Sequence, residues 1–360
     1  MMKLLIFGGK GGVGKSSISG ATAVKLSELV EKNQNILLIS FDIAHNLSDL
    51  FEQQIGNELT QVTPNLWVIE PDPELYAEKV TQRFGTLMRE LISTTPIVKR
   101  MPKLEEYFEE TFTTKSMTLS MKNALFFQRI IDADDIIDDM KEADSAIANF
   151  DLLQKMKFDY IIADFPPTGN MISLFEVPNN TVQVVLKSTL KMFAELKDFF
   201  KKIKTAAKLL NPFSKDITEE QINRSKEIVA IINDVEKRAE RVTKLMKESG
   251  SLRLVTIPER PSFEELKRAR ELTKPYMTLD AVHINRIIPR KYHRCEMCRQ
   301  IREIQDKYIE AIESDFSDVK IWKSHMLKKE PIGLRGLRKL GDEIFSSKIT
   351  LDLLISPTPR

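Results

Sequence analysis

Long apolar runs, cysteines and net charge are all scarce in this chain of 360 residues. No apolar run reaches the roughly 18 residues that a membrane-spanning helix needs. The only two cysteines, Cys295 and Cys298, are too few for the disulfide framework of a secreted domain. The 54 Lys and Arg residues nearly balance the 52 Asp and Glu residues, which argues against a strongly basic nucleic-acid-binding protein. Because an apolar segment begins almost at the N-terminus, there is no room for a signal peptide. We therefore expect a soluble cytoplasmic protein without a nucleic-acid partner.

A glycine-rich loop near the start of the chain carries the clearest chemical signal. The apolar residues 4–7 predict a buried parallel strand, and residues 18–31 predict a helix. A Walker A pattern joins the two, and its nucleotide-binding residues are Gly9, Lys10, Gly11, Gly12, Val13, Gly14, Lys15, Ser16 and Ser17. Such a loop converges backbone N–H groups on a phosphate at the positive end of a helix dipole. We predict that Lys15 contacts the β- and γ-phosphates of ATP and that Ser16 binds Mg²⁺.

Three further polar side chains follow apolar segments that predict strands. Asp42 follows residues 36–40, where it can orient or deprotonate an attacking water, or serve only as a turn or helix-cap residue. Asn46, four residues later, can sense the γ-phosphate. Asp164 closes the strand predicted over residues 158–164, as a Walker B carboxylate that binds Mg²⁺ directly or through water. Asn285 ends another predicted strand, where an amide can read an adenine edge or simply stabilise a turn.

These motifs resemble those of one group of ATPases. The loop GKGGVGKS resembles the deviant Walker A motif shared by the nitrogenase iron protein, the Min and Par ATPases and the arsenical pump ATPases. Residues 42–49, DIAHNLSD, closely resemble switch I of the ArsA/Get (TRC) family, with Ile43 in place of its proline. Residues 164–170, DFPPTGN, are similar to switch II of that family, with Asn170 in place of histidine. The likeness is greatest to the single-chain archaeal and eukaryotic ATPases that target tail-anchored membrane proteins.

The resemblance implies a fold, a reaction and an assembly. The fold would be α/β, a doubly wound, mainly parallel sheet of a P-loop NTPase of the deviant Walker A type with helical insertions. The protein would hydrolyse ATP with Mg²⁺ as a homodimer. Asp42 would be the catalytic carboxylate, and Lys10 would reach the partner's nucleotide. Asn285 would contact adenine.

The resemblance also implies two domains and a client. Residues 1–72, 155–180 and 250–350 would form the ATPase domain, and residues 73–154 and 181–249 a helical, client-binding subdomain. Residues 189–210 carry an apolar stripe that includes Phe193 and Phe200. Periodicity alone favours a helix that packs on its own domain. The resemblance favours a groove for the transmembrane helix of a tail-anchored client, delivered to a membrane receptor by a protein only transiently at the membrane.

The Cys295-x-x-Cys298 pair leaves three interpretations open. Two thiolates are half of a tetrahedral Zn²⁺ site, and two copies of the chain would complete one shared Zn²⁺ per dimer. A redox pair or two inert thiols are the alternatives, although the pair does not open the first helix of a small βαβ unit as in thioredoxins. The homologous targeting ATPases carry a CxxC at this place.

Three other functions remain possible from the sequence. An ATPase subunit of an arsenite or other metalloid efflux system would share the switch motifs, although this chain lacks additional cysteines. An iron–sulfur cluster carrier of the Mrp/Nbp type would also use a CxxC pair between two copies. A positioning ATPase of the Min/Par kind would need a membrane-binding C-terminal helix, and residues 351–360 are short and contain two prolines.

Overall fold

The computed structural model describes residues 2–42, 46–72, 158–169, 171, 244–292 and 294–357, together with Glu74 and Glu78. Backbone proximity divides the chain into two compact units, one of residues 1–72, 133–172 and 243–360 and one of residues 73–132 and 173–242. The described residues belong almost entirely to the first unit. The apolar stripe at 189–210 lies outside them. Among the described residues, no helix combines the length and the apolarity that crossing a membrane requires.

An eight-stranded sheet forms the centre of the first unit, with the strand order β3-β4-β2-β5-β1-β6-β7-β8. The strands are β1 (Lys3–Gly9), β2 (Ile36–Ser40), β3 (Thr60–Thr63), β4 (Leu66–Ile69), β5 (Tyr160–Asp164), β6 (Gly250–Thr256), β7 (Leu279–Ile287) and β8 (Lys320–His325). Neighbouring strands are parallel except for the antiparallel pair β3–β4. The mainly parallel α/β sheet expected from the sequence is confirmed.

Along the chain, helices connect the strands, and two further helices follow β8. They are α1 (Lys15–Leu29), α2 (Asn46–Phe51), α3 (Arg260–Thr273), α4 (Glu296–Asp315), α5 (Gly333–Phe345) and α6 (Leu351–Ile355), with a 3₁₀ turn at Arg290–Tyr292. Every residue of β2 and β5 is buried, so both faces of the central sheet are covered. This burial explains why these strands read as continuous apolar runs rather than as alternating patterns.

One apolar cluster fixes α1 and α5 against the sheet. It includes Phe7 of β1, Ile18 and Val24 of α1, and Leu337 and Ile344 of α5. The two helices are also joined by an ion pair in which Lys25 Nζ lies 2.7 Å from Asp342 Oδ1. Because α1 follows the glycine-rich loop directly, this packing fixes the direction in which the loop's helix points.

The sequence predictions missed three elements of this unit. Strand β3 is only four residues long and lies at the sheet edge, where its residues are mostly half-buried. Helix α6 is a single short turn and a half near the end of the chain. Helix α4 is 20 residues long, and the CxxC pair opens it between the parallel strands β7 and β8. This helix belongs to a βαβ unit of an eight-stranded sheet and is not the first helix of a small one, so the zinc and redox interpretations of the pair both stay predictions.

Candidate active site

Three predicted motifs converge where β1, β2 and β5 end. The strands are neighbours in the sheet, and their register places both Phe7 and Ser40 beside Asp164. The backbone continues these ladders past the strand ends. Phe41 N–H donates to the Asp164 carbonyl at 2.8 Å, and Phe165 N–H donates to the Phe7 carbonyl at 3.0 Å. Because the carboxyl ends of parallel strands are where α/β sheets bind ligands, this is the candidate nucleotide site.

The glycine-rich loop has the backbone geometry of a phosphate cradle. Gly9 has φ of 142°, and a Cβ there would lie 2.2 Å from the Val255 carbonyl oxygen. Gly14 caps the start of α1 with φ of 92°. Side chains at these two positions would be strained, which explains why glycine occupies them. The first turn of α1 contains no acidic residue, so its N-terminal N–H groups present an uncompensated positive dipole to an anion.

Lys15 lies inside this cradle. The residue is buried, and its Nζ donates to the Lys10 carbonyl at 3.4 Å, so the side chain curls back over the loop. The Lys10 side chain is about half exposed and lies 4.0 Å from Glu259 Oε1. The structure therefore places Lys15 within the loop and Lys10 at the surface, and the phosphate contact predicted for Lys15 stays a prediction. Action of Lys10 on a second nucleotide remains a prediction.

Asp164 is the most unusual carboxylate of the site. It is fully buried, and neither oxygen has a hydrogen-bond partner of normal geometry in the part of the chain that the structure describes. Burial raises its pKa to about 7, although the nearby Ser16 hydroxyl and the Lys15 charge lower the pKa. A buried carboxylate without a hydrogen-bond partner raises the free energy of the folded state unless a cation binds to it. Asp164 and the adjacent Ser16 hydroxyl are oxygen donors of the kind Mg²⁺ prefers, so these residues fit that ion.

Asp42 lies on the same edge of the sheet. It is partly exposed, its N–H donates to Ser40 Oγ at 3.2 Å, and its charge contributes to raising the pKa of Asp164. The two carboxylates therefore share one electrostatic environment. The predicted catalytic role of Asp42 stays a prediction. Residues 43–45, the side chain of Asn46 and Asn170 lie outside the described residues.

Asn285 touches the glycine-rich loop itself. Its Nδ2 donates to the Val13 carbonyl at 3.0 Å, and its Oδ1 accepts from Ser324 Oγ and from Arg286 N–H, both at 2.9 Å. Three of the amide's four hydrogen-bonding positions are thus used inside the protein. The geometry shows Asn285 as a tether between β7 and the loop. Its predicted contact with adenine remains a prediction.

Sequence reasoning missed Glu70, which follows β4 and is buried. Its Oε1 accepts from Leu47 N–H at 2.8 Å, at the start of α2. Its charge also raises the pKa of Asp164. An acidic residue at the end of an apolar strand is the same signal that identified Asp164. At Glu70 the signal was overlooked because the residue's partner lies 23 positions earlier in the chain.

The CxxC pair lies at the N-terminus of α4, apart from the loop residues just described. Cys295 caps the helix, its Sγ accepting from Cys298 N–H at 3.3 Å. Hydrogen bonds from the Cys298 side chain and backbone lower the pKa of the Cys295 thiol, which favours the thiolate that metals bind. Within the described ranges, no three or more His, Cys, Asp or Glu side chains are grouped to hold a metal ion. Two thiols therefore fit half of a zinc site.

The glycine-rich loop, the buried Lys15 and the strand-end carboxylates Asp42 and Asp164 define a P-loop ATPase. The comparison with protein families agrees, because the model described as anion-transporting ATPase matches residues 2–346. The chain therefore belongs to the ArsA ATPase family, and it hydrolyses ATP.

Relatives under two kinds of name match almost the whole chain. "Putative arsenical pump-driving ATPase 1" of Aquifex aeolicus is 27% identical over 359 residues, which are 96% of this chain and 80% of that protein. "ATPase ASNA1 homolog 1" of Paramecium tetraurelia is 26% identical over 96% of this chain and 93% of its own length. "ATPase GET3" of Komagataella phaffii is 26% identical over 94% of this chain and 88% of its own length. These near-equal identities do not separate the two names.

Proposed function

We propose that this protein is a homodimeric ATPase that binds the transmembrane helix of tail-anchored membrane proteins in an apolar groove and delivers them to a membrane. The observation that carries the proposal is where the chain leaves the sheet. Residues 73–157 begin three residues after Glu70, which follows β4, and residues 172–243 begin eight residues after Asp164 at the end of β5. The strands are already paired without these segments. Both long insertions thus start at the nucleotide end of the sheet, where hydrolysis can act on them.

The client groove is the part of the proposal that needs the most direct test. We propose residues 73–154 and 181–249 as the client-binding subdomain, with the apolar stripe at 189–210 forming part of the groove. Co-expression with a tail-anchored protein should give a co-purifying complex from the cytoplasmic fraction, before transfer to a membrane receptor.

Variants of the apolar stripe test whether its Phe side chains, rather than the lysines on the rest of the same segment, bind the client. Replacing Phe193 and Phe200 with Asp should abolish client capture and leave the ATPase rate within about twofold, because the stripe is not part of the nucleotide site. The matched control replaces Lys191 and Lys202, which helical spacing puts on the opposite face, with Asp and should retain capture. Undiminished capture by the Phe variant would reject the groove.

In the proposed reaction, each polar residue at the nucleotide site has one role. Lys15 and Ser16 hold the phosphates and Mg²⁺, and Asp164 supports the same ion. Mg²⁺, when bound, neutralises charge that develops on the phosphates. Asp42 orients the attacking water. An Asp42→Asn variant should bind MgATP with unchanged affinity and hydrolyse it at least about 100-fold more slowly. Hydrolysis at the wild-type rate would remove Asp42 from this role.

The CxxC pair is proposed to join two copies of the chain through one shared Zn²⁺. Support comes from the exposed Cys295 at the surface of the described unit and from two exposed apolar side chains on the same helix, Met297 and Ile304. Purified protein should contain one zinc for every two chains. A Cys295→Ser variant that retains both zinc and the dimer would reject the bridging site, and a brown, iron-containing protein would indicate a cluster carrier instead.

A metalloid-efflux ATPase is the second candidate, favoured by the Aquifex relative's name. The chain's two cysteines, both in the CxxC pair, leave no separate thiols for a metalloid site. The ATPase rate measured with and without arsenite separates the two functions. Stimulation by arsenite would support efflux, and an unchanged rate together with client capture would support targeting.

A further inference from the structure

The segment that links β2 to α2 carries Asp42, and described contacts hold the chain on both sides of it. At its start, Phe41 N–H donates to the Asp164 carbonyl at 2.8 Å. At its end, Leu47 N–H donates to Glu70 Oε1 at 2.8 Å, and the Leu47 side chain is fully buried. The first anchor is a backbone contact that almost any sequence can make. The second depends on one particular side chain.

Further contacts link Glu70 to the start of α2 and to the turn after this helix. Ser48 Oγ lies 3.5 Å from Glu70 Oε2, and the same hydroxyl donates to the Ile55 carbonyl at 2.8 Å and accepts from Ile55 N–H at 3.0 Å. The Glu70 N–H donates to the Gly56 carbonyl at 2.9 Å. The start of α2 and the turn after it are therefore both tied to the end of β4.

Burial makes this anchor strong and specific. Glu70 is buried, so its hydrogen bond to Leu47 N–H is shielded from water. Losing the acceptor would leave a buried N–H without a partner and would release the downstream end of the segment that carries Asp42.

We propose that Glu70 is a positioning residue for ATP hydrolysis, which holds the start of α2 at Leu47 and thereby helps to keep Asp42, five residues earlier, in place to orient the attacking water. The inference rests on the catalytic role proposed for Asp42. Glu70 itself touches neither nucleotide nor water in this assignment. Its effect is geometric, and a small displacement of a catalytic group is sufficient to slow a reaction strongly.

Two conservative variants separate the effect of the length of the Glu70 side chain from the effect of its charge. Glu70→Gln keeps the length of the side chain and an oxygen that accepts from Leu47 N–H, but it removes the charge. Glu70→Asp keeps the charge and shortens the side chain by one methylene, so the oxygen no longer reaches Leu47 N–H without displacing it. The exposed Glu310 of α4 provides matched controls, Glu310→Gln and Glu310→Asp.

Steady-state ATPase kinetics and ADP affinity test the proposal. Glu70→Asp should lower kcat by about tenfold or more, with KM for MgATP and Kd for ADP within about twofold of wild type. Glu70→Gln should retain at least about one third of the wild-type kcat, and both Glu310 variants should match wild type. Thermal unfolding establishes that each variant is folded. If Glu70→Asp does not fold, Ser48→Ala replaces it in the test. That variant loosens the same anchor and should lower kcat by a smaller factor.

Three results would overturn the proposal. The first is a wild-type kcat in Glu70→Asp. The second is the reverse order, an active Glu70→Asp with an impaired Glu70→Gln, which would make the charge rather than the reach important. The third is a loss of ADP affinity as large as the loss of kcat, which would make Glu70 a binding or folding residue. Failure of the Asp42 assignment is separate, because it appears as full activity in Asp42→Asn whatever the Glu70 variants do.

Discussion

Asp164 shows at the scale of one residue how the nucleotide site trades stability for function. Its side chain is buried without a hydrogen-bond partner of normal geometry among the described residues, and burial raises its pKa from 3.8 to about 7. Between these two values the unfolded chain releases the proton while the folded chain keeps it. Folding stability therefore decreases as the pH rises through this range, and the full penalty is present above pH 7.

An Asp164→Asn variant should remove this penalty. Without nucleotide and with EDTA, its free energy of unfolding at pH 8 should exceed that of wild type by up to about 4 kcal/mol, the upper limit set by the pKa difference. The gain should shrink as the pH falls toward 4. Urea unfolding at both pH values measures it, with the exposed Asp315→Asn as a control. A gain that is equal at pH 8 and pH 4 would contradict the assignment.

His283 is a second buried titratable residue, which lies among aromatic rings near Arg253. Its ring centroid lies 5.0 to 5.9 Å from those of Phe7, Trp322 and Phe345, and neither ring nitrogen has a hydrogen-bond partner within the described part of the chain. Burial lowers its pKa well below 6.5, and the charge of Arg253 lowers it further. The unfolded chain therefore binds a proton below pH 6.5 that the folded chain does not bind.

A His283→Phe variant should lose this acid sensitivity. Between pH 7 and pH 5, wild type should lose about 2 kcal/mol more folding stability than the variant, because only wild type must bury a neutral imidazole that prefers to be protonated. Chemical unfolding at the two pH values gives the difference directly. Substitution of the exposed His325 by Gln serves as the control, and parallel pH curves for wild type and His283→Phe would refute the explanation.

At the scale of elements, the short helix α6 provides a hydrogen-bond acceptor for a buried charge. Arg253 of β6 is fully buried, donates from Nη2 to the Leu354 carbonyl, and lies against the rings of Phe7 and Trp322. Burial lowers the pKa of Arg253 to about 9, while the charge of Asp280 raises it. Leu354 is itself completely buried. Helix α6 thus contributes both apolar packing and a carbonyl that a buried guanidinium needs.

Deleting residues 350–360 should destabilise the protein by about 3 kcal/mol or more, because the cavity and the unpaired buried charge add to one another. In an Arg253→Met background the same deletion should cost about 1 to 2 kcal/mol less, since no charge is left without its carbonyl. Denaturant unfolding of the four proteins forms the cycle. Removal of residues 358–360 alone is the control. Equal costs of deletion in both backgrounds would show that Arg253 and α6 are not coupled.

These elements also show what the sequence can and cannot predict. The strands that lead to Asp42, Asp164 and Asn285 were predictable, because a buried parallel strand and the polar residue at its end are adjacent in the chain. The predicted end at Asn285 was wrong, since β7 continues to Ile287. The mainly parallel sheet was implied by the family resemblance. Glu70 and Arg253 were not recognised, because their partners lie 23 and 101 positions away. Nothing local distinguishes Arg253 from a polar position on a solvent-exposed strand face. Glu70 does follow an apolar strand as Asp164 does, but the contact that gives it a role lies elsewhere in the chain.

Helix α4 was missed for a different reason. Its CxxC pair drew the interpretation toward metal and redox chemistry, while most of the helix is exposed or half-buried, with only Ile309 and Ile312 buried. The apolar residues Met297, Ile301, Ile304 and Ile312 nevertheless recur at helical spacing, so the sequence does carry the periodic signal of this helix. Strand β3 was harder to predict, because four residues at a sheet edge carry little pattern. The predicted catalytic chemistry therefore rests on motifs, and its supporting contacts emerge only in three dimensions.

At the scale of the whole molecule, the least explained feature of the active site is the exposed Lys10. Its side chain lies 4.0 Å from Glu259 at the surface, while Lys15 occupies the interior of the loop. A lysine that acts on its own nucleotide has no reason to lie outside the cradle. In the proposed dimer, Lys10 instead supplies positive charge to the phosphates bound by the partner, as an arginine finger does in other ATPases.

Mixing two inactive variants tests this division of labour. Lys10→Ala and Asp42→Asn should each lose hydrolysis when alone. In a mixed dimer, the nucleotide on the Lys10→Ala chain meets that chain's own Asp42 and the partner's Lys10, so this one site is complete. Random re-association at a 1:1 ratio makes half of the dimers mixed, each with one working site in two, and should restore about a quarter of the wild-type rate. If Lys10 acted within its own chain, neither site of the mixed dimer would be complete and the mixture would stay inactive. Mixing Asp42→Asn with a Lys10→Ala, Asp42→Asn double variant controls for residual activity, because no dimer of that pair contains Asp42.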